Sequence, residues 1–176
     1  MKHLTKRLLI VAIALQAVIL VGMLIRSAMP LWFGTEVRVS TLPVDPRSLF
    51  RGNYARLNYD FSRINIKSFD DAEAQTPRRQ GEVVYVSLIK GKEGIYQAGK
   101  PSFTKPKEGL FIRGRVQNRS SWRKQLRINY GIEAYFAPKE RALALEKQLR
   151  KSALAVLMID AGGNARLKDI IAKDSQ

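Results

Sequence analysis

Cysteine is absent from this 176-residue chain, and histidine occurs once, at His3. These two gaps exclude disulfide staples, thiol catalysis, Cys/His zinc sites and any His-based triad in the body of the chain. Acidic residues are scarce as well: 15 Asp and Glu stand against 31 Lys and Arg, for a formal charge of +16. Such a balance draws a protein toward lipid headgroups, nucleic acid or an acidic protein face without choosing among them. Internal repeats and low-complexity tracts are also missing. What remains is 45% hydrophobic and 26% charged, inside the folded range, and long enough for one ordinary domain plus a short appendage.

The N-terminus carries the strongest signal. Residues 8–25 form a run of 18 without a charge, interrupted only by Gln16 and Gly22 and bounded by Lys6-Arg7 and Arg26. As a helix rising about 1.5 Å per residue the run spans roughly 27 Å, close to the hydrocarbon thickness of a bilayer. A buried core helix would show a polar face at the 3.6-residue period, and one Gln in the run makes none. A cleavable signal peptide needs small residues at −3 and −1 of the cut. Cutting after Ala28 puts Arg26 at −3, and cuts after Gly22 or Gly34 put Leu20 or Trp32 there, so an uncleaved signal anchor is expected.

Lys2, Lys6 and Arg7 precede the span, whereas Arg26 and Arg38 follow it, a bias that places the N-terminus in the cytoplasm. Trp32 and Phe33 suit the headgroup region on the far side. The expected organisation is therefore a cytoplasmic segment 1–7, a membrane span 8–25, a juxtamembrane linker 26–34 and an extracytoplasmic β-rich domain 35–176. In a Gram-negative cell this is an inner-membrane protein with a periplasmic domain. Removing residues 1–25 takes away three positive charges and no acidic ones, leaving +13 on the exported part.

Alternation dominates that part. Over residues 54–61, Ala55, Leu57, Tyr59 and Phe61 fall on one side and Tyr54, Arg56, Asn58 and Asp60 on the other, as in a half-buried strand. Similar runs lie at 36–40, 82–89, 110–117 (Leu110, Ile112 and Val116 inward; Arg113, Arg115 and Gln117 outward) and 126–130. The tail reads as strand 153–159, a turn at Asp160-Ala161-Gly162-Gly163-Asn164, and strand 165–171, a hairpin whose turn residues tolerate positive φ. One helix is expected over 138–150, from Pro138 in its first turn through Ala142, Leu145 and Leu149, with Glu146 and Arg150 paired at i,i+4. Residues 69–80 read as a mobile loop, and 91–108 as turn-rich connections around a short strand at 95–97. The fold class that follows is α+β, mainly antiparallel β: a sheet or sandwich of about seven to eight strands with one covering helix, preceded by the transmembrane helix.

Two stretches carry a family pattern. Arg51-Gly52-Asn53-Tyr54-Ala55-Arg56-Leu57-Asn58-Tyr59 resembles the signature of the GDYXXLXY family: Gly52, Tyr54, Leu57 and Tyr59 match, and Asn53 stands where the family has Asp. Tyr130-Gly131-Ile132-Glu133-Ala134-Tyr135-Phe136, leading into Pro138 and Glu140, is similar to the family's later pattern. The resemblance implies a membrane-anchored domain of unestablished activity, in a family whose members tend to be encoded near polytopic membrane proteins. It supplies no catalytic residues. The binding residues it points to are Arg51, Gly52, Asn53, Tyr54, Leu57 and Tyr59 of the first stretch and Tyr130, Gly131, Glu133 and Tyr135 of the second. Turn chemistry explains much of the first stretch, since Asp45-Pro46 starts a helical turn and Gly52-Asn53 turns the chain into a strand. The functional alternative is a polar pocket in which Arg51 meets Glu133 through a charge-assisted bond.

Other chemistries are weaker. The segment around residues 46–53 is faintly similar to the region after the nucleophile in signal peptidases, which use a Ser–Lys dyad. Here Leu42-Pro43-Val44-Asp45 replaces the expected Ser-Met pair, Ser48 falls after the proline, and Ser87 and Lys90 sit three apart in a strand, on opposite faces. A signal-peptidase-like hydrolase, or an inactive relative of one, is the alternative to a non-enzymatic protein. Arg113, Arg115, Arg119, Trp122, Arg123, Lys124 and Arg127 form a basic stretch suited to phosphates. An extracytoplasmic location argues against nucleic acid and leaves an anionic lipid surface, an acidic partner or plain solvation. Asp70, Asp71 and Glu73 lack the spacing of a calcium loop. No metal or cofactor is expected. The partners expected are the bilayer, through residues 8–25, and an integral membrane protein.

Overall fold

The computed structural model describes residues 2–42, 54–75, 79–120, 124–136 and 153–172. Helix α1, Lys2–Phe33, comes first. Its stretch Lys6–Phe33 is long and apolar enough to cross a membrane, and none of that stretch's most apolar part is buried against the rest of the protein. The helix runs on through residues 26–33, expected as a linker, and ends before Gly34. Pro30 lies within the last turn, and its carbonyl accepts a hydrogen bond from the Gly34 amide at 2.9 Å. A side chain at Gly34 would collide with that carbonyl and press on the backbone of Ile159. Glycine therefore lets the helix end sit directly on the sheet.

The strands are β1 (Thr35–Leu42), β2 (Tyr54–Arg56), β3 (Asn58–Tyr59), β4 (Arg63–Asn65), β5 (Val83–Lys90), β6 (Ile95–Ser102), β7 (Phe111–Ser120), β8 (Gln125–Asn129), β9 (Ala134–Phe136), β10 (Ala153–Ile159) and β11 (Ala165–Ala172). Eight of them lie in the order β11-β10-β1-β6-β5-β7-β8-β4, β3 pairs with β1 off this path, and β2 and β9 form a separate ribbon. Among the described residues every pairing is antiparallel except β1 with β6. The short segment from β3, paired with β1 near one end of this path, to β4, the strand at the other end beyond β8, brings the two ends together, so the sheet curls around one core. The mainly antiparallel fold class is as the alternation implied.

The core follows from the same alternation. Val37, Val39, Val84, Val86, Ile112, Val116, Leu126 and Ile128 are buried on the concave face, joined by Leu57, Tyr59 and Phe61. All seven residues of β10 are buried, as an unbroken apolar run requires of a strand covered on both faces. The hairpin at 160–164 forms as expected: the Asp160 amide donates to the Asn164 carbonyl at 3.1 Å, and Gly163 takes φ +80°. Its turn also reaches across the curl, where the Arg113 amide donates to the Gly163 carbonyl at 2.8 Å.

Three sequence expectations need correction. The strand expected over 54–61 is broken: it changes partner at Leu57, from β9 to β1, and after Tyr59 the chain coils into a 3-10 turn at Asp60–Ser62. The inward set Leu57, Tyr59 and Phe61 is nonetheless buried, because the bend follows the curl of the sheet. Residues 69–80 are not simply loop. Phe69 is buried and stacks on Phe103 at 4.8 Å, α2 occupies Asp71–Gln75, and Asp70 pairs with Lys100 at 2.6 Å. The strand expected at 95–97 extends through Ser102, since pairing with β5 outweighs the glycine and proline within it. The helix expected over 138–150, with its Glu146–Arg150 pair, lies outside the described residues.

Candidate functional site

The two family-like stretches meet. β2 pairs with β9, setting Ala55 opposite Tyr135, and the Leu57 amide donates to the Glu133 carbonyl at 2.8 Å. Beyond that ribbon two tyrosines lock the stretches together. The Tyr59 hydroxyl donates to the Ile132 carbonyl and the Tyr130 hydroxyl donates to the Phe61 carbonyl, both at 2.8 Å. The Phe61 ring lies between them, stacked on Tyr59 and edge-on to Tyr130, with centroids 5.1 Å apart in each case. Each buried hydroxyl thus satisfies a buried carbonyl while its ring fills the core.

Glu133 is a local cap. Its carboxylate accepts from the Tyr130 and Gly131 amides, the latter at 2.9 Å, and Gly131 holds φ +79° to make this possible. Asn129 Oδ1 accepts from the same Gly131 amide at 2.9 Å. Burial pushes the phenols of Tyr59 and Tyr130 well above their ordinary range, and the Glu133 charge adds to the effect on both. Tyr135 extends toward the far edge of the sheet, where its hydroxyl lies 3.5 Å from Asp169 Oδ1.

Leu57, Tyr59, Tyr130, Gly131, Glu133 and Tyr135 are thus brought together as a clamp, and Tyr54 joins it through the backbone pairing of β2. Arg51, Gly52 and Asn53 lie outside the described residues, as does Ser48. Among the described residues, the hydrogen-bond partners of the Glu133 carboxylate are the backbone amides of Tyr130 and Gly131. Ser87 and Lys90 sit at the odd and even positions of β5, which point to opposite faces. Glu73 accepts from the Ser102 hydroxyl and the Phe103 amide, both at 3.0 Å, and so ties α2 to β6. Among the described residues no three His, Asp or Glu side chains converge as a metal site.

The space beside the clamp is open. A groove of about 610 Å³ runs along β7, lined by Gly81, Arg113, Arg115, Gln117, Tyr130 and Gly131 among others. Its floor is Gly114, where an added Cβ would collide with the Ile128 side chain and lie 2.8 Å from the Tyr130 ring, so only glycine lets both side chains pack across the strand. A smaller cavity of about 90 Å³ lies on the other side, where Asn58, Ser62, Arg127 and Glu133 meet. The basic stretch noted in the sequence is divided accordingly: Arg113 and Arg115 line the groove, and Arg127 borders the small cavity. Sequence reading passed over Gly114 and Gly81, whose only signal was glycine inside or beside an alternating strand.

The family model described as GDYXXLXY protein matches residues 16–170, nearly the whole chain. No curated protein matches the chain, and no solved structure does.

Proposed function

The chain belongs to the GDYXXLXY family, and from that premise we propose a single-pass inner-membrane protein whose extracytoplasmic domain acts by binding, as an accessory subunit to an integral membrane protein. The observation that carries this reading is the junction of helix and sheet. An apolar helix with none of its most apolar part buried is joined to the folded domain by one glycine. A side-chain bond from Arg166 Nη2 to Ser27 Oγ, 2.7 Å long, reinforces the joint. A helix so exposed is stable only when lipid or other helices cover it. Anchorage would hold the domain beside a partner in the same membrane and raise its effective concentration there. The excess of Lys and Arg ahead of the span supports a cytoplasmic N-terminus.

The clamp is the framework of this domain, which leaves the groove along β7 and the lipid-facing side of α1 as its contact surfaces. Photo-crosslinking in intact cells tests the reading, with the crosslinker placed at Gln117 on the groove and at Leu20 on the helix. The expected result is capture of one polytopic membrane protein from both positions. Capture of nothing, or only of the chain itself, would overturn it.

A further inference from the structure

The groove continues toward the membrane. A second cavity, of about 790 Å³, adjoins it and shares Arg113, Tyr130, Gly131 and Asn164 with it. One wall of this second cavity comes from α1, through Met23, Met29 and Phe33, and the opposite wall from the β10–β11 hairpin. Four arginines from three elements line the combined space: Arg26 of α1, Arg113 and Arg115 of β7, and Arg166 of β11.

The charges there are unbalanced. Among the described residues, three of these guanidinium groups donate to neutral oxygens: Arg113 to Asn164 Oδ1 at 3.4 Å, Arg115 to the Gly81 carbonyl at 2.8 Å and Arg166 to the Ser27 hydroxyl at 2.7 Å. Among the described residues the lining has one carboxylate, Asp160, and it is committed to the hairpin turn. Its Oδ1 accepts from the Gly162 and Asn164 amides at 2.8 and 2.9 Å, and its Oδ2 from Asn164 Nδ2 at 2.9 Å. A guanidinium that spends one or two of its five donors on a neutral oxygen keeps a planar fork for phosphate.

We propose that this juxtamembrane space binds the phosphate-bearing headgroup of an anionic phospholipid, with the arginines on the phosphate and the α1 wall against the upper acyl chain. A lipid is favoured over a free phosphate compound because the cationic space opens onto Met23, Met29 and Phe33, exposed apolar residues of the helix that crosses the bilayer. Each of the two cavities falls in the size range of small-molecule sites. The inference rests on membrane anchorage but requires no protein partner.

The test uses the full-length protein in detergent micelles, with native mass spectrometry reading lipid adducts. Phosphatidylglycerol and phosphatidylcholine are supplied at equal mole fraction, and inorganic phosphate is added as a separate competitor. Preferential retention of phosphatidylglycerol by the wild type is expected. In R113Q/R166Q retention should fall by about tenfold or more, each arginine beside an anionic lipid contributing appreciably. K90Q/K107Q removes the same charge from exposed positions off the groove and should leave retention unchanged.

Equal retention of the two lipids by the wild type would overturn the proposal without any variant. Equal losses in both double variants would also overturn it, by reducing the effect to diffuse charge. Displacement of the lipid by inorganic phosphate at matching concentration would assign the site to a soluble phosphate compound and overturn the lipid reading. No partner protein is in the assay, so its outcome is separate from that of the crosslinking experiment.

Discussion

Tyr59 and Tyr130 are bonded reciprocally: each phenol donates to a carbonyl in the segment that carries the other, at Ile132 and Phe61, and both bonds are 2.8 Å long. The family signature thereby closes the curled sheet at its open side. Tyr59 enters from the strand that pairs with β1 and Tyr130 from the end of β8. With the hydroxyl removed, a buried carbonyl loses its donor while the ring still packs. Tyr59→Phe and Tyr130→Phe should each lower stability by about 1–2 kcal/mol in denaturant unfolding. The double variant should lose less than the sum of the two, because both act through Phe61. Strict additivity would contradict the coupled arrangement.

Burial holds both phenols neutral, their pKa raised above the ordinary value near 10. The charged form of a phenol is the deprotonated one, so a raised native value leaves stability intact below about pH 10. Above that pH the unfolded chain ionises while the native one does not, and stability declines by about 1.4 kcal/mol per pH unit for each such tyrosine. Alkaline titration should show the tyrosinate absorbance of these two residues arriving together with unfolding. The Y59F/Y130F variant should show a shallower alkaline limb, and an unchanged limb would count against burial of these hydroxyls.

Glu133 holds two amides with one carboxylate. Glu133→Gln retains an acceptor and should cost less than Glu133→Ala, which leaves both amides without their cap and should cost about 1–3 kcal/mol. Thermal unfolding of the two variants checks this order. Equal costs would mean that the side chain's charge, lost in both variants, matters more than its capping geometry.

Two glycines serve different needs. Gly131 requires its positive φ and has open space around its Cα, so Gly131→Ala should cost about 1 kcal/mol from backbone strain. Gly114 is crowded by the Ile128 side chain and the Tyr130 ring, so Gly114→Ala should cost more, about 1–3 kcal/mol, by displacing both. Near-ultraviolet circular dichroism should change for Gly114→Ala and stay native for Gly131→Ala.

The strands that could be read from the sequence were those whose partners share their alternation. Residues 153–159 were bounded correctly because an apolar run between polar turns has few other solutions. The hairpin at 160–164 was legible for its Asp, Gly and Asn turn chemistry. The break at Leu57 was hidden, since period two continues through a bend that only the curl of the sheet imposes. β4 is three residues long and owes its pairing to β8, so no local pattern announced it. The site residues were readable as two motifs, but their reciprocal bonding depends on a contact between residues 73 apart in sequence. Likewise, the gathering of Arg26, Arg113, Arg115 and Arg166 depends on how α1 and the 160–164 turn meet β7.

Binding beside a membrane partner requires that α1 cross the membrane with the β-rich domain on the far side. Paired C-terminal fusions to alkaline phosphatase, active only outside the cytoplasm, and to a fluorescent protein that matures only inside it measure this directly. The expected result is phosphatase activity in the membrane fraction from a full-length fusion, without fluorescence. Fluorescence without phosphatase activity, or a trimmed soluble product, would contradict it.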